Sequence, residues 1–222
     1  LLLDTVLASL ISDGSVSWLY YSDRLIELPL GVFGIAIATV ILPTLSRQYT
    51  AASEHYSRTL DWALRTVLLI ALPATVALLV LARPIIATLF QHGSRFSDFD
   101  GLMASYSLMA YALGLCAFML IKVLATGYFS RQDTRTPVRI GIKAMVANMV
   151  FNVALVIPFH FLWQIGHVGL ALATAASAFL NAGWLLSGLR RSDVYQPGRG
   201  WLRFLCLLAV ASGVMGLFLG VC

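Results

Sequence analysis

Apolar positions run along this chain in long blocks, with polar residues gathered between them. Seven blocks stand out, near 1–12, 16–43, 62–82, 101–128, 137–160, 164–189 and 201–222. About 20 apolar residues cross a bilayer's hydrocarbon as a helix. In lipid each segment must satisfy its own backbone hydrogen bonds, and the blocks lack the alternation of barrel strands. The pattern therefore predicts an all-α polytopic membrane protein. The chain begins inside one apolar block and stops inside another, as expected of a portion of a longer protein.

The punctuation between blocks supports these divisions. Ser12-Asp13-Gly14 reads as a tight turn, and Gln196-Pro197-Gly198-Arg199-Gly200 as a polar connector. Thr136-Pro137 reads as an N-cap followed by proline at the first helical position. Residues 44–61 differ from the rest. Leu45, Tyr49, Ala52, Tyr56 and Leu60 recur at helical spacing, with Arg47, Glu54, His55 and Arg58 on other faces. That spacing predicts an amphipathic helix lying on the membrane surface, the alternative being a polar loop.

Composition removes the soluble reading. The chain is 59% hydrophobic and 11% charged, with a mean hydropathy of +0.86, whereas a soluble domain is about 25% charged. A net charge of +5 could suggest nucleic acid in a soluble protein. Here the arginines follow the connections between spans. Arg47, Arg58, Arg65, Arg131, Arg135, Arg139, Arg190, Arg191, Arg199 and Arg203 fall on one side, and only Arg83 and Arg95 on the other. The positive-inside bias puts the first group in the cytoplasm and Ser12-Asp13-Gly14 outside. Cys116, Cys206 and Cys222 have no paired or metal-ligand spacing and read as small hydrophobes. No nucleophile–base pairing, nucleotide cradle or His/Cys cluster makes a case for an enzyme.

Charge inside a span changes the picture most. Asp23, Arg24 and Glu27 enter the second block from its outer end, and Pro29, Gly31 and Gly34 follow. With the helix starting near Val16, Arg24 lies about 12 Å in. Charges at that depth face protein, a watery cavity or each other, an internal Arg24–Glu27 pair being the structural alternative. Pro29 removes a backbone hydrogen bond and is expected to kink the helix near Leu25. A second polar set is Asp4, Asn148, Asn152 and Thr174, an oxygen-rich candidate site for Na⁺; the alternative is hydrogen bonding between helices. Lys122 and Lys143 lie near cytoplasmic ends of spans and can snorkel, and His160 and His167 read as interfacial.

Three stretches carry a resemblance. YYSDRLIELPLGVFGIAIATVILPTLSR (20–47), RPIIATLFQHGSRF (83–96) and IKVLATGYFSRQDTRTPVRIG (121–141) closely resemble the MurJ/MviN lipid II flippases, members of the MOP superfamily with the MATE exporters. The resemblance runs over essentially the whole chain. It implies a MATE-like transporter lobe with about seven of an expected fourteen helices. Residues 1–189 would be the second lobe, helices seven to twelve with the first truncated, and 190–222 the connector and helix thirteen of a C-terminal extension. It implies a bacterial inner-membrane protein that flips lipid-linked peptidoglycan precursor, lipid II, to the outer leaflet by alternating access. Arg24 and Glu27 would line the substrate cavity beside Asp23 and Ser17, with Pro29 and Gly31 as gating and kink positions.

The same resemblance raises Asp4, Asn148, Asn152 and Thr174 as a Na⁺ site, although Asn152 is neutral where a second acid is expected. No cofactor is implied. Energy would come from membrane potential or an ion gradient, Na⁺ or proton, since no ATP motif is present. The expected partners are lipid II, membrane lipids, the first lobe of the same protein and cell-wall synthesis proteins, with no nucleic acid. The competing functions are another MOP exporter, for drugs, cations or lipid-linked polysaccharide, and a non-transporting scaffold for wall synthesis.

Overall fold

The computed structural model describes residues 8–9, 14–51, 53–91, 96–163 and 165–221. Helices connected by short turns make up this part of the chain. They are α1 (Ser15–Pro29), a π-helical turn (Leu30–Ile35), α2 (Ala36–Ala51), α3 (Ser53–Val80), α4 (Ala82–Phe90), α5 (Asp98–Phe129), α6 (Arg135–Trp163), α7 (Gly166–Arg191) and α8 (Trp201–Val221). Among the described residues six stretches are long and apolar enough to cross a membrane, α1 through α2 running as one. They coincide with six of the seven predicted blocks. The first block, Ala8 and Ser9 apart, lies outside the described residues.

α5 and α7 form the centre. Over half of each one's apolar window is buried, against 11% for α6 and for α8. Their contact depends on small residues, because helices in lipid gain most from close backbone approach. A Cβ on Gly114 of α5 would lie 2.9 Å from both Cα and Cβ of Ala175 on α7. α6 packs along α7 and scarcely touches α5, whereas α1 packs along α5 and scarcely touches α7. Held by different neighbours, α1 and α6 diverge and leave a cleft between them.

The two ends of the bundle are tied differently. At one end Trp18 Nε1 donates to Asp100 Oδ1 at 2.9 Å, and Asp100 also closes a capping box with Ser97 at the start of α5. One turn further, Ser22 Oγ lies 2.8 Å from the carbonyl oxygens of both Trp18 and Ala104. At the opposite end Tyr56 donates to the carbonyl of Gly127, with Ser130 Oγ 2.9 Å away, and Tyr128 donates to the Leu185 carbonyl at 2.8 Å. Ser57 and Gln196 exchange two hydrogen bonds of 3.0 and 3.1 Å. The three arginine-rich connections thus meet at one end, as alternating spans require.

Several expectations are corrected. Residues 44–61 form no separate surface helix among those described: α2 runs through to Ala51 and α3 begins at Ser53. The span through α2 covers 34 residues, about 50 Å at 1.5 Å per residue. It therefore outruns a hydrocarbon layer of about 30 Å. Leu45, Tyr56 and Leu60 are fully or almost fully buried, so the amphipathic spacing serves packing against the protein instead of lipid.

The start of α6 lies earlier than Thr136-Pro137 suggests. The helix begins at Arg135, and Asp133 Oδ1 accepts the Thr136 N–H at 3.0 Å. Chiefly that bond holds the Asp133 carboxyl below its ordinary value of 3.8. His167 is not interfacial. It is completely buried, with its ring 4.9 Å from that of Trp18 in an edge-on contact. Within the stretch 190–222, expected as a connector and the first helix of an extension, α8 packs onto α3.

Candidate functional site

Ser17, Tyr20, Arg24, Glu27 and Gly31 fall three or four apart on α1 and its continuation, so they share one face. Of these Ser17, Tyr20, Arg24 and Glu27 are exposed, away from the seam that Trp18, Ser22 and Ile26 make with α5. Arg24 Nη1 donates to Glu27 Oε2 at 2.6 Å, with both side chains more than half exposed. The Arg24 guanidinium lies 5.1 Å from the Tyr20 ring centroid, within cation–π range. The expected internal ion pair is therefore present, but on the open face of the lobe. Tyr20 and the Glu27 carboxylate hold the guanidinium in place on the exposed face, and its fork of donors suits an anion.

Below this pair the helix changes its winding. Leu30 donates to the carbonyls of Ile26 and Glu27, and the six residues that follow Pro29 are π-helical. Proline cannot donate to the α ladder, and the wider π turn takes up the mismatch. The predicted kink thus becomes a local rewinding. Gly34 is the glycine this turn needs. It is buried, and a Cβ there would lie 3.3 Å from Leu30 Cδ1 and 3.6 Å from Met119 Cγ. Gly31 has nothing within 4 Å of such a Cβ, so no neighbour in this lobe requires a glycine there.

Asp23 faces elsewhere. It lines a cavity of about 540 Å³ between α1, α5, α6 and α7, together with Tyr20, Asn148, Thr174, Ser177 and Asn181. Tyr20, on the stripe with Ser17 and Arg24, lines this cavity too. Within the same cavity Asn148 Nδ2 lies 3.4 Å from Thr174 Oγ1, and Asn152 Nδ2 lies 3.3 Å from Asn148 Oδ1. Thr174 in turn donates to the Leu170 carbonyl at 3.0 Å. Two of the spans carrying the predicted polar set, α6 and α7, do meet, and Asn148 and Thr174 form between them a hydrogen bond of the kind expected as the alternative. Asp4 lies outside the described residues. Neutral amide and hydroxyl oxygens, with Asp23 on the same cavity wall, suit a hard monovalent cation. Among the described residues no three His, Cys, Asp or Glu side chains gather as a metal cluster.

Sequence reasoning missed Tyr20, Ser177 and Asn181. Tyr20 could be found from its spacing, four residues before Arg24. The polar pair on α7 could not, since only packing shows which face of that helix meets the cavity. Asn181 Oδ1 is buried without a hydrogen-bond partner among the described residues.

Spanning-length helices around a partly open cavity, with an ion pair exposed beside a rewound span, describe a polytopic membrane protein. The family model described as "Lipid II flippase MurJ" matches residues 1–221. The chain is 53% identical over 216 residues to a protein of Vibrio cholerae named probable lipid II flippase MurJ, covering 97% of this chain and 40% of that protein. It is 51% identical over 223 residues to the similarly named protein of Haemophilus influenzae, covering 97% and 42%. Against the lipid II flippase MurJ of Burkholderia cenocepacia it is 40% identical over 216 residues, covering 97% and 40%. A solved structure, "Lipid II flippase MurJ, inward closed conformation", superposes with a TM-score of 0.76 at 27% identity, over 95% of this chain and 42% of that one.

The chain belongs to the lipid II flippase MurJ family. It spans about two fifths of the length of the curated relatives it matches. Membership and six spanning-length helices make it a multi-pass protein of the bacterial inner membrane.

Proposed function

We propose that this chain is one lobe of a flippase that carries lipid-linked peptidoglycan precursor, lipid II, from the inner to the outer leaflet by alternating access. The observation that carries this reading is the Arg24–Glu27 pair on the exposed stripe of α1. A cation held in a span is costly unless compensated. Glu27 compensates it while the cavity is empty. An anionic diphosphate or head-group acid displaces Glu27 and takes the guanidinium's forked donors, so Arg24 is never left without a counter-charge. The π turn after Pro29 gives the lower half of the span a place to pivot against the upper half. The opposite wall of the substrate cavity comes from the remaining length of the protein.

Coupling to an ion gradient belongs to the intra-lobe cavity. Asn148, Thr174 and Asn152, with Asp4 from the first block, would hold Na⁺ by neutral and charged oxygens, and the ion would fix α6 against α7. Proton coupling through Asp23 is the competing source of energy.

The test uses the full-length protein in cells depleted of their own flippase, with translocation of lipid II followed in vesicles. Arg24→Ala is expected to abolish growth rescue and translocation, and Arg24→Lys to restore only part, since an ammonium keeps the charge but not the fork. Full rescue by Arg24→Ala would overturn the reading. Uptake of small organic cations without lipid II movement would assign the protein to drug export instead.

A further inference from the structure

Asp61, in the first turns of α3, collects donors from a distant part of the chain. Its Oδ1 accepts from Tyr195 OH at 2.8 Å, from the Gly198 N–H at 3.1 Å and from Trp201 Nε1 at 2.6 Å. Its Oδ2 is 2.8 Å from Arg65 Nε. Arg65 then donates from Nη2 to the Arg199 carbonyl at 3.1 Å, and its guanidinium lies 5.1 Å from the Trp201 ring centroid and 5.8 Å from that of Phe204. Ser57, one turn earlier, holds Gln196 by two hydrogen bonds. Ser57, Asp61 and Arg65, spaced four apart on one face of α3, are thus all engaged with the connector at 195–200 or the start of α8. Tyr195 is almost completely buried in this joint, and burial, with Asp61's carboxylate beside it, pushes its phenol well above the usual range. It stays a neutral donor.

The rest of α8 is held weakly. Only Leu208 and Ser212 are buried along it, and most of its other apolar side chains are exposed. Two apolar helices in lipid gain nothing from the hydrophobic effect by touching each other. Above its base α8 meets α3 at one close approach, where a Cβ on Gly216 would come within 2.7 Å of Val76 Cγ1, and the polar joint at its base adds the directional contacts that set its height and rotation. We propose that Asp61 is a positioning residue that makes α8 a fixed part of this lobe, carried with α3 through the transport cycle. This rests on the alternating-access reading above for its functional half, while the docking itself does not.

The experiment places nitroxides at Leu69 of α3 and Val214 of α8, both exposed, in the full-length protein reconstituted in phospholipid vesicles. Electron–electron double resonance should give one narrow distance distribution for the parent protein. Asp61→Ala should give a broad or double distribution and slow lipid II translocation. Asp61→Asn keeps an oxygen for the three neutral donors and loses only the charge on Arg65's side. It should therefore return both the narrow distribution and most of the translocation. Should Asp61→Ala fail to fold, the double variant Tyr195→Phe with Trp201→Phe keeps an aromatic ring at both positions, removes two of the three donors to Asp61 Oδ1, and should broaden the distribution in the same way.

A distribution as narrow in Asp61→Ala as in the parent overturns the docking. Broadening with translocation at the parental rate overturns the coupling. If the parent protein moves no lipid II while the distances behave as described, the flippase reading fails and the joint stands.

Discussion

Each charged residue near the cavity acts through the partner that the helix period hands to it. Glu27 reaches Arg24 because they are three apart, and Asp23, one position back from Arg24, is turned away into the lobe. Outside the membrane the same logic applies to Asp133. Its folded-state value is depressed by the Thr136 N–H, so its stabilisation of the α6 start is present above the unfolded value. It is lost as pH falls through the lower folded value. Protection of the Thr136 amide relative to its intrinsic exchange rate should accordingly fall below about pH 4, and Asp133→Asn, which keeps the acceptor oxygen, should remove that acid dependence. Protection that stays constant with pH in the unsubstituted protein would refute the cap. The cap was misplaced in the sequence because Thr136-Pro137 and Asp133 both offer plausible starts, and only the backbone shows which oxygen faces the orphan N–H.

At the scale of the element, two glycines with the same chemistry should behave oppositely. Gly114→Ala forces a Cβ to 2.9 Å from the Ala175 backbone, wedging α5 from α7 at a cost of about 1–3 kcal/mol. Gly183→Ala meets nothing within 4 Å and should leave the thermal midpoint in detergent unchanged or raised. Equal midpoints for the two variants would contradict the packing. Pro29 governs a different property. Pro29→Ala returns a backbone N–H and lets α1 continue in α-helical register, so hydrogen exchange in the peptide covering 25–36 should slow. Translocation should fall while membrane insertion is kept. The sequence announced this break through proline alone; that it becomes a π turn closed over by Gly34, Met119 and Leu30 needed the neighbouring α5.

Over the whole molecule, the arginine-rich connections converge on one end through Tyr56, Ser57, Asp61 and Tyr128, while Trp18 and Asp100 tie the other. This arrangement makes sidedness a firm prediction. In a background with Cys116, Cys206 and Cys222 replaced, Ser192→Cys should react with an impermeant maleimide only from the cytoplasmic side. Phe99→Cys should react only from the outer side, and labelling of both from one side would invalidate the topology. The lobe also explains its own cavity, because α1 and α6 follow separate central helices and so part from each other.

By itself the sequence determined what local physics and the solvent decide. Lipid demands long, self-satisfied apolar helices, so six of the seven expected spans were legible from the blocks, the meeting of the arginine-rich connections at one end from their alternation, and the family from three motifs in order. It determined the Arg24–Glu27 pairing as well, since neighbours on one helix face need no knowledge of the fold. Tertiary structure decided everything that requires two distant helices to meet. Only packing brought Asn148 and Thr174 to one cavity, turned Asp23 toward them, buried His167 against Trp18 and set Asp61 beneath residues more than 130 positions away. In an interior where nearly every residue is apolar, hydropathy no longer marks which face is inward. Small residues and single polar contacts choose the neighbours, and their effect appears only when the helices are assembled.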